Sequence, residues 1–127
     1  MAAGDLSEFL TAGRTLSSLG LVKGSEGNMS TWDGRSLRIT RTGSELAYLT
    51  EGDVLDGTLD EPPPAASSDL ALHLAAYRER GPGAVAHAHP PGSVPEGWVE
   101  GEEHGRYAFG ATLREAVAEI VESARSG

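Results

Sequence analysis

Residues 84–91, with the sequence AVAHAHPP, constrain the fold of this chain more than any other segment. The small apolar residues predict a strand, and the two prolines end it because proline has no N–H to donate to a sheet. Side chains two residues apart on a strand point to one face. His87 and His89 could therefore bind one metal ion together, although two partly exposed histidines at a strand end are the simpler interpretation of the pair alone.

Apolar periodicity and turn residues predict the other elements. Apolar residues at helical spacing predict a helix over residues 5–19, which Asp5 would cap, and a last helix over residues 111–124. Residues 67–69 open a middle helix that runs to about residue 80, and Asp33-Gly34 predicts a hairpin turn. Strands are predicted at residues 29–32, 37–40, 54–59, 84–89, 98–99 and 106–109.

This order of elements predicts an α/β fold with a central mixed, mainly antiparallel sheet and helices packed on its faces. The length of 127 residues is enough for one domain with its own core, so residues 1–127 are expected to form a single domain.

The formal net charge of −9 argues against nucleic acid and anionic membranes as partners, because both are themselves negatively charged. A small anion held by backbone N–H groups remains compatible with this charge. The chain has no cysteine, which removes disulfides and thiolate zinc sites, and its N-terminal sequence shows neither a signal peptide nor a transmembrane helix. We therefore expect a cytoplasmic protein.

Three more residues are candidates for a site around the histidine pair. His104 could supply a third metal ligand, since catalytic zinc sites often use three protein ligands and keep one position open. Asp69 could be a general base or a further ligand that faces the histidines, or only an acid that complements the helix dipole. His73 lies inside the middle helix and is expected to be a partly buried structural residue.

Three loops rich in small polar residues are candidates for anion binding. Their backbones can approach a ligand closely, and a serine pair at a helix N-terminus adds N–H groups that favour a phosphate. The residues in question are Asn28, Thr42, Gly43, Ser67 and Ser68.

These segments together resemble the class II aldolase/adducin family, whose members include L-fuculose-1-phosphate aldolase and L-ribulose-5-phosphate 4-epimerase. The matches occur in family order over most of the chain. They are GSEGNMS at 24–30 for G-[TS]-x-G-N-x-S, ITRTG at 39–43 for I-T-P-[ST]-G, SSD at 67–69 for S-S-E, AVAHAHP at 84–90 for V-V-H-[TS]-H-[SP], and HG at 104–105 with GATLREA at 110–116 for N-H-G followed by G-x-[TS]-L-x-E-A.

The resemblance implies a three-layer αβα fold and a role for each matched position. His87, His89 and His104 would bind a metal, zinc or another divalent ion, and Asp69 would replace the family's acid/base glutamate. The implied reaction is reversible aldol cleavage of a phosphorylated ketose through an enediolate, in a homo-oligomer that the family predicts to be a tetramer. Asn28, Thr42, Gly43, Ser67 and Ser68 would bind the substrate phosphate.

The resemblance also leaves a second hypothesis open. The segment between His89 and His104 is shorter than in the family's enzymes, and Asp69 is one methylene shorter than glutamate. The chain therefore resembles a compact, truncated member of the family, and it could be a non-catalytic member that binds a metal or a small molecule.

Overall fold

The computed structural model describes residues 5–67, 69–89 and 106–126. Short 3-10 turns lie at Leu46–Tyr48 and Glu51–Asp53. The helices and strands are α1 (Leu6–Ser18), β1 (Asn28–Trp32), β2 (Leu37–Thr40), β3 (Val54–Gly57), α2 (Leu70–Arg80), β4 (Gly83–Ala88), β5 (Arg106–Gly110) and α3 (Leu113–Ser126).

The five strands form one sheet in the order β3-β2-β1-β4-β5. Every described neighbouring pair is antiparallel, which confirms the predicted antiparallel character and gives no parallel pair within the described strands. As a result, the first residues of β1 and β5 and the last residues of β2 and β4 lie at the same end of the sheet.

Helices cover both faces of the sheet. On one face α3 packs over β4 and β5 and α1 packs against α3, and Phe9, Leu16 and Ile120 join the core there with Met29 and Ala86. On the other face Tyr77 of α2 packs with side chains that alternate with the first set along the strands, among them Leu37, Ile39 and Val85. The three-layer αβα architecture that the resemblance implies is thereby confirmed.

Side-chain caps, of which the one by Asp5 was predicted, explain where two helices begin. The Asp5 carboxylate accepts the Glu8 N–H at 3.0 Å at the start of α1. Before α3, Thr112 accepts the Glu115 N–H at 3.2 Å, while the Glu115 carboxylate accepts the N–H of Ala111 at 3.1 Å. This reciprocal pair resembles a capping box, except that the Glu115 carboxylate accepts from the residue before Thr112 and not from Thr112 itself.

Two predicted strands differ from the structure or lie beyond it. The strand predicted over 54–59 ends at Gly57, because residues 58–61 form a turn in which Thr58 Oγ1 accepts the Glu61 N–H at 2.9 Å. The strand predicted at 98–99 lies outside the described residues. Within the described part of the chain, no helix is both long and apolar enough to cross a membrane.

Candidate active site

The strand register brings three polar side chains into one row at the end of the sheet. Asn28 pairs with His87 across β1 and β4, and His87 pairs with Tyr107 across β4 and β5. Directly paired residues of antiparallel strands point to the same face, which here is the face that α2 covers. The imidazole of His87 stacks on the ring of Tyr107 with the centroids 3.9 Å apart and an angle of 5° between the planes.

Asp69 reaches this row from the start of α2. Although it occupies the N-cap position, its carboxylate makes no capping hydrogen bond to the helix. Asp69 Oδ2 instead accepts the Asn28 amide at 2.8 Å and lies 3.0 Å from His87 Nδ1. Of the two interpretations of Asp69, the contacts favour the carboxylate that faces a histidine over the acid that serves only the helix dipole.

The surroundings of Asp69 favour its charged form. Burial opposes ionisation, but the hydrogen bond from Asn28 and the neighbouring His87 outweigh it and hold the pKa of the carboxyl below its usual value. Burial and the adjacent Asp69 charge raise the pKa of Tyr107, so its hydroxyl stays protonated. Asp69 is therefore a charged carboxylate held between Asn28 and His87.

The predicted histidine pair lies on one side of β4. The two ring centroids are 4.7 Å apart, with His87 fully buried and His89 half-buried just beyond the strand end. The His89 N–H donates to the Leu21 carbonyl at 2.8 Å, which fixes the backbone where β4 ends.

The chemistry of these donors fits a divalent metal. Because Asp69 contacts Nδ1 of His87, Nε2 is the ring nitrogen left for a metal, as in sites where a carboxylate orients a metal-binding histidine. Among residues 5–67, 69–89 and 106–126, no three His, Asp or Glu side chains converge as a ligand set. The predicted third ligand, His104, lies outside the described residues.

Two of the predicted anion-binding loops lie side by side at this end of the sheet. The Ser67 N–H donates to the Thr40 carbonyl at 3.1 Å, and the Thr42 N–H donates to Ala65 at 2.8 Å. Gly43 has a φ of +79°, a conformation that side chains rarely adopt. Ser67 is buried, and its hydroxyl accepts the Asp69 N–H at 3.2 Å.

Other members of the predicted anion site have different surroundings. Ser68 lies outside the described residues. Asn28 is buried, and its side chain is engaged by Asp69 and by His73. Next to Thr42, the guanidinium of Arg41 pairs with Asp53 at 2.7 Å.

The structure adds two residues that sequence reasoning did not assign to the site. His73, predicted to be a partly buried structural residue, is fully buried, and its imidazole contacts the Asn28 carbonyl. Its signal in the sequence is the spacing of Asp69, His73 and Tyr77 at intervals of four, which places all three on one helix face. Tyr107 had no such signal, because only the register of β5 brings it next to His87.

Comparisons with known proteins place this geometry in context. Residues 7–96 match the sequence profile of the family described as class II aldolase and adducin N-terminal domain. An L-fuculose phosphate aldolase of Methanococcus maripaludis is 38% identical over 90 residues, or 67% of this chain and 49% of the relative, and one of Methanocaldococcus jannaschii is 37% identical with the same coverage. The chain thus spans about half the length of the curated relatives it matches.

Solved structures show the same fold at lower sequence identity. The crystal structure of L-fuculose-1-phosphate aldolase from Thermus thermophilus superposes with a TM-score of 0.79 at 24% identity, covering 94% of this chain and 89% of that one. A sugar-phosphate aldolase from Thermotoga maritima superposes with a TM-score of 0.64 at 19% identity, covering 96% and 94%.

Proposed function

The chain belongs to the class II aldolase and adducin N-terminal domain family, and from this premise we propose that it is a metal-dependent lyase for the reversible aldol cleavage of a phosphorylated ketose. The observation that carries the proposal is the Asp69 carboxylate, which is held 3.0 Å from His87 Nδ1 beside two polar loops. A charged carboxylate at a site with two neighbouring imidazoles can transfer a proton to or from the carbon next to a carbonyl group.

Asp69 is the proposed acid/base. In the cleavage direction the bond between the α- and β-carbons of the ketose breaks, and the hydroxyl on the β-carbon becomes an aldehyde by losing its proton. The ionised Asp69 carboxylate takes up this proton, directly or through water, and donates it to the α-carbon of the three-carbon fragment. In synthesis Asp69 removes the proton from that carbon and returns it to the new hydroxyl, so each turnover leaves Asp69 unchanged. Its lowered pKa suits the abstracting direction, because the carboxylate is already ionised near neutral pH.

His87 and His89 are the proposed metal ligands, with His104 as the third. A bound zinc or other divalent ion would act as a Lewis acid toward the developing negative charge on the carbonyl oxygen. The chain's own contribution is orientation, since Asp69 holds the His87 ring by Nδ1 and Tyr107 stacks on that ring. This support fixes the ring before any ligand arrives, which limits the reorganisation needed during the reaction.

Thr42, Gly43, Ser67 and Ser68 are the proposed phosphate contacts, whereas the side chain of Asn28, the fifth predicted contact, is engaged by Asp69 and His73. The hydrogen bonds between the 40–43 turn and residues 65–67 support this assignment because they hold two loops next to each other. The first substrate to test is L-fuculose 1-phosphate, on which the Thermus relative acts by its name. We also propose a homo-oligomer of this chain, a tetramer by the family resemblance, which light scattering after gel filtration would measure.

The test uses the full chain purified without a histidine tag. We expect one zinc per chain and release of dihydroxyacetone phosphate from the sugar phosphate, detected by a coupled dehydrogenase. His87→Ala should lose the metal, and Asp69→Asn should keep the metal but lose cleavage by about 100-fold or more, the usual scale for an acid/base group. Asp56→Asn is the matched control, because Asp56 is an exposed strand residue paired with Arg38.

Two results would contradict the proposal in different ways. A protein without stoichiometric metal, and unaffected by His87→Ala, would refute the metal site. A protein that binds zinc but cleaves no ketose phosphate would favour the second hypothesis, a non-catalytic member of the family that binds a metal or a small molecule.

A further inference from the structure

A chain of buried polar side chains connects the core beneath α2 to the candidate site. Tyr77 Oη lies 2.6 Å from Ser30 Oγ, which lies 2.6 Å from His73 Nδ1. His73 Nε2 contacts Asn28 Oδ1, and Asn28 Nδ2 donates to Asp69. The first four of these residues are at most 5% exposed, so water has little access to these hydrogen bonds.

The direction of every hydrogen bond in the chain follows from its Asp69 end. A carboxylate only accepts, so Asn28 must turn its NH₂ group toward Asp69 and its carbonyl oxygen toward His73. The opposite amide orientation would place two acceptor oxygens at a hydrogen-bond distance with no proton between them.

The remaining protons are then determined in turn. Since the Asn28 oxygen accepts, we assign the proton of His73 to Nε2. Burial keeps the ring neutral, with the pKa of His73 lowered to about 3, so Nδ1 accepts the Ser30 hydroxyl proton. Ser30 Oγ in turn accepts from Tyr77, whose phenol stays protonated because burial raises its pKa.

We propose that His73 is a positioning residue of the site, because its Nε2–H holds the Asn28 amide in the one orientation that presents Nδ2–H to Asp69. This role depends on the proposed function in one respect, namely that Asp69 is the carboxylate that reacts. The His73 imidazole acts on the Asp69 carboxylate through Asn28, while the His73 backbone N–H donates to the Asp69 carbonyl in the first turn of α2. The same amide lies 3.3 Å from His87 Nδ1, so its orientation also bears on the ring that supplies the metal ligand.

Two amide substitutions separate positioning from simple core packing. In His73→Gln the side-chain NH₂ group takes the place of Nε2–H and can still donate to Asn28. In His73→Asn the shorter side chain occupies the Nδ1 position and cannot reach Asn28. The two variants are both neutral amides on the same helix, so their difference reports the donor to Asn28 rather than the loss of the imidazole.

The first measurement needs no activity and no substitution. Long-range ¹⁵N–¹H NMR on the metal-free, ¹⁵N-labelled full chain should show His73 as the neutral Nε2–H tautomer, and the Asn28 side-chain amide should exchange slowly with solvent. His73 found as the Nδ1–H tautomer would overturn the proposal. Because the wild-type protein suffices, this result holds even where a variant fails to fold.

The variants supply the second measurement. We expect the Asn28 amide to stay protected in His73→Gln and to lose protection in His73→Asn, and kcat to fall about 10-fold to 100-fold further in His73→Asn than in His73→Gln, the usual effect of removing an outer support. Equal Asn28 protection in the two variants would overturn the proposal. An unreactive wild-type protein that shows the NMR pattern would refute the proposed function and leave the positioning role of His73 intact.

Discussion

The amide nitrogen of Asn28 lies 2.8 Å from a carboxylate oxygen of Asp69, although 41 positions separate the two residues along the chain. This hydrogen bond ties the first residue of β1 to the start of α2. It is also the point where the buried polar chain from Tyr77 meets the candidate acid/base.

Exchanging the side chains of Asn28 and Asp69 should restore part of what each single substitution removes. Asn28→Asp places two carboxylates in contact, and Asp69→Asn removes the charged acceptor, so each should lower the free energy of unfolding. The double variant again has one amide and one carboxylate, and we expect a favourable coupling energy of about 0.5–3 kcal/mol. Urea denaturation of the four proteins measures this coupling, and strictly additive effects would mean that the contact contributes nothing.

Acid should destabilise the protein through His73. Burial lowers the pKa of His73 to about 3, whereas an unfolded histidine titrates near about 6.5. Between these values the unfolded chain binds more protons at this site, so stability is fully present above about pH 6.5 and is lost as pH falls, by up to about 1.4 kcal/mol per pH unit.

His73→Gln isolates this contribution, because Asp69 and His87 next to it are present in both proteins. The variant should lose less stability than the wild type between about pH 7 and pH 5, the range in which an ordinary histidine gains its proton. Tyr77 and Tyr107 do not titrate in this range, since burial raises both pKa values. Parallel pH profiles for the two proteins would argue against a neutral, buried His73.

Gly27 should tolerate no side chain, for two separate reasons. Its φ is +82°, and an added Cβ would lie 2.7 Å from the His87 carbonyl oxygen. Gly20 is the matched control, because its φ is +75° but an added Cβ would meet nothing within 4 Å. Gly27→Ala should therefore cost at least about 1 kcal/mol more than Gly20→Ala in urea denaturation, the scale of overpacking. Equal costs would show that the loop can move away from β4.

The ion pair beside the 40–43 turn should depend more on Asp53 than on Arg41. The Asp53 carboxylate accepts from Arg41 at 2.7 Å and from both the N–H and the hydroxyl of Thr50 at 3.0 Å. Asp53→Ala removes the pair and the cap and should cost about 1–2 kcal/mol. Arg41→Gln should cost no more than about 1 kcal/mol, because the guanidinium is half-exposed to solvent. Thermal unfolding of both variants measures the two losses of stability. A larger loss in Arg41→Gln than in Asp53→Ala would refute the prediction.

This ion pair also has a defined pH dependence. The hydrogen bonds from Arg41 and Thr50 lower the pKa of Asp53. The stability that they add is present above the ordinary aspartate value of about 3.9 and is lost as pH falls through the lower folded value. The difference in the free energy of unfolding between the wild type and Asp53→Ala should therefore become smaller at low pH.

Local sequence patterns were sufficient for most of the fold. Helical periodicity located α1 and α3, and the Asp33-Gly34 turn located the hairpin of β1 and β2. The alternation in β4 placed His87 and His89 on one side, as their 4.7 Å separation confirms. These features depend on neighbours a few residues apart, so the sequence contains their whole cause.

Local sequence patterns predicted only part of the candidate site. Polar loops and a carboxylate at the start of α2 could be identified, but Tyr107 and the contact from His73 to Asn28 could not. Each of these contacts joins residues more than twelve positions apart, and the periodicity of a helix or strand cannot predict contacts at such a separation.

The sequence by itself determined the order of helices and strands, the histidine pair and the polar turns, because propensity, capping and alternation act locally. Only the tertiary structure decided that Asn28, His87 and Tyr107 form one row and that α2 turns Asp69 and His73 toward it. The physical reason is that strand register and helix docking are set by packing across the sheet, where a slip of one residue would send each side chain to the opposite face.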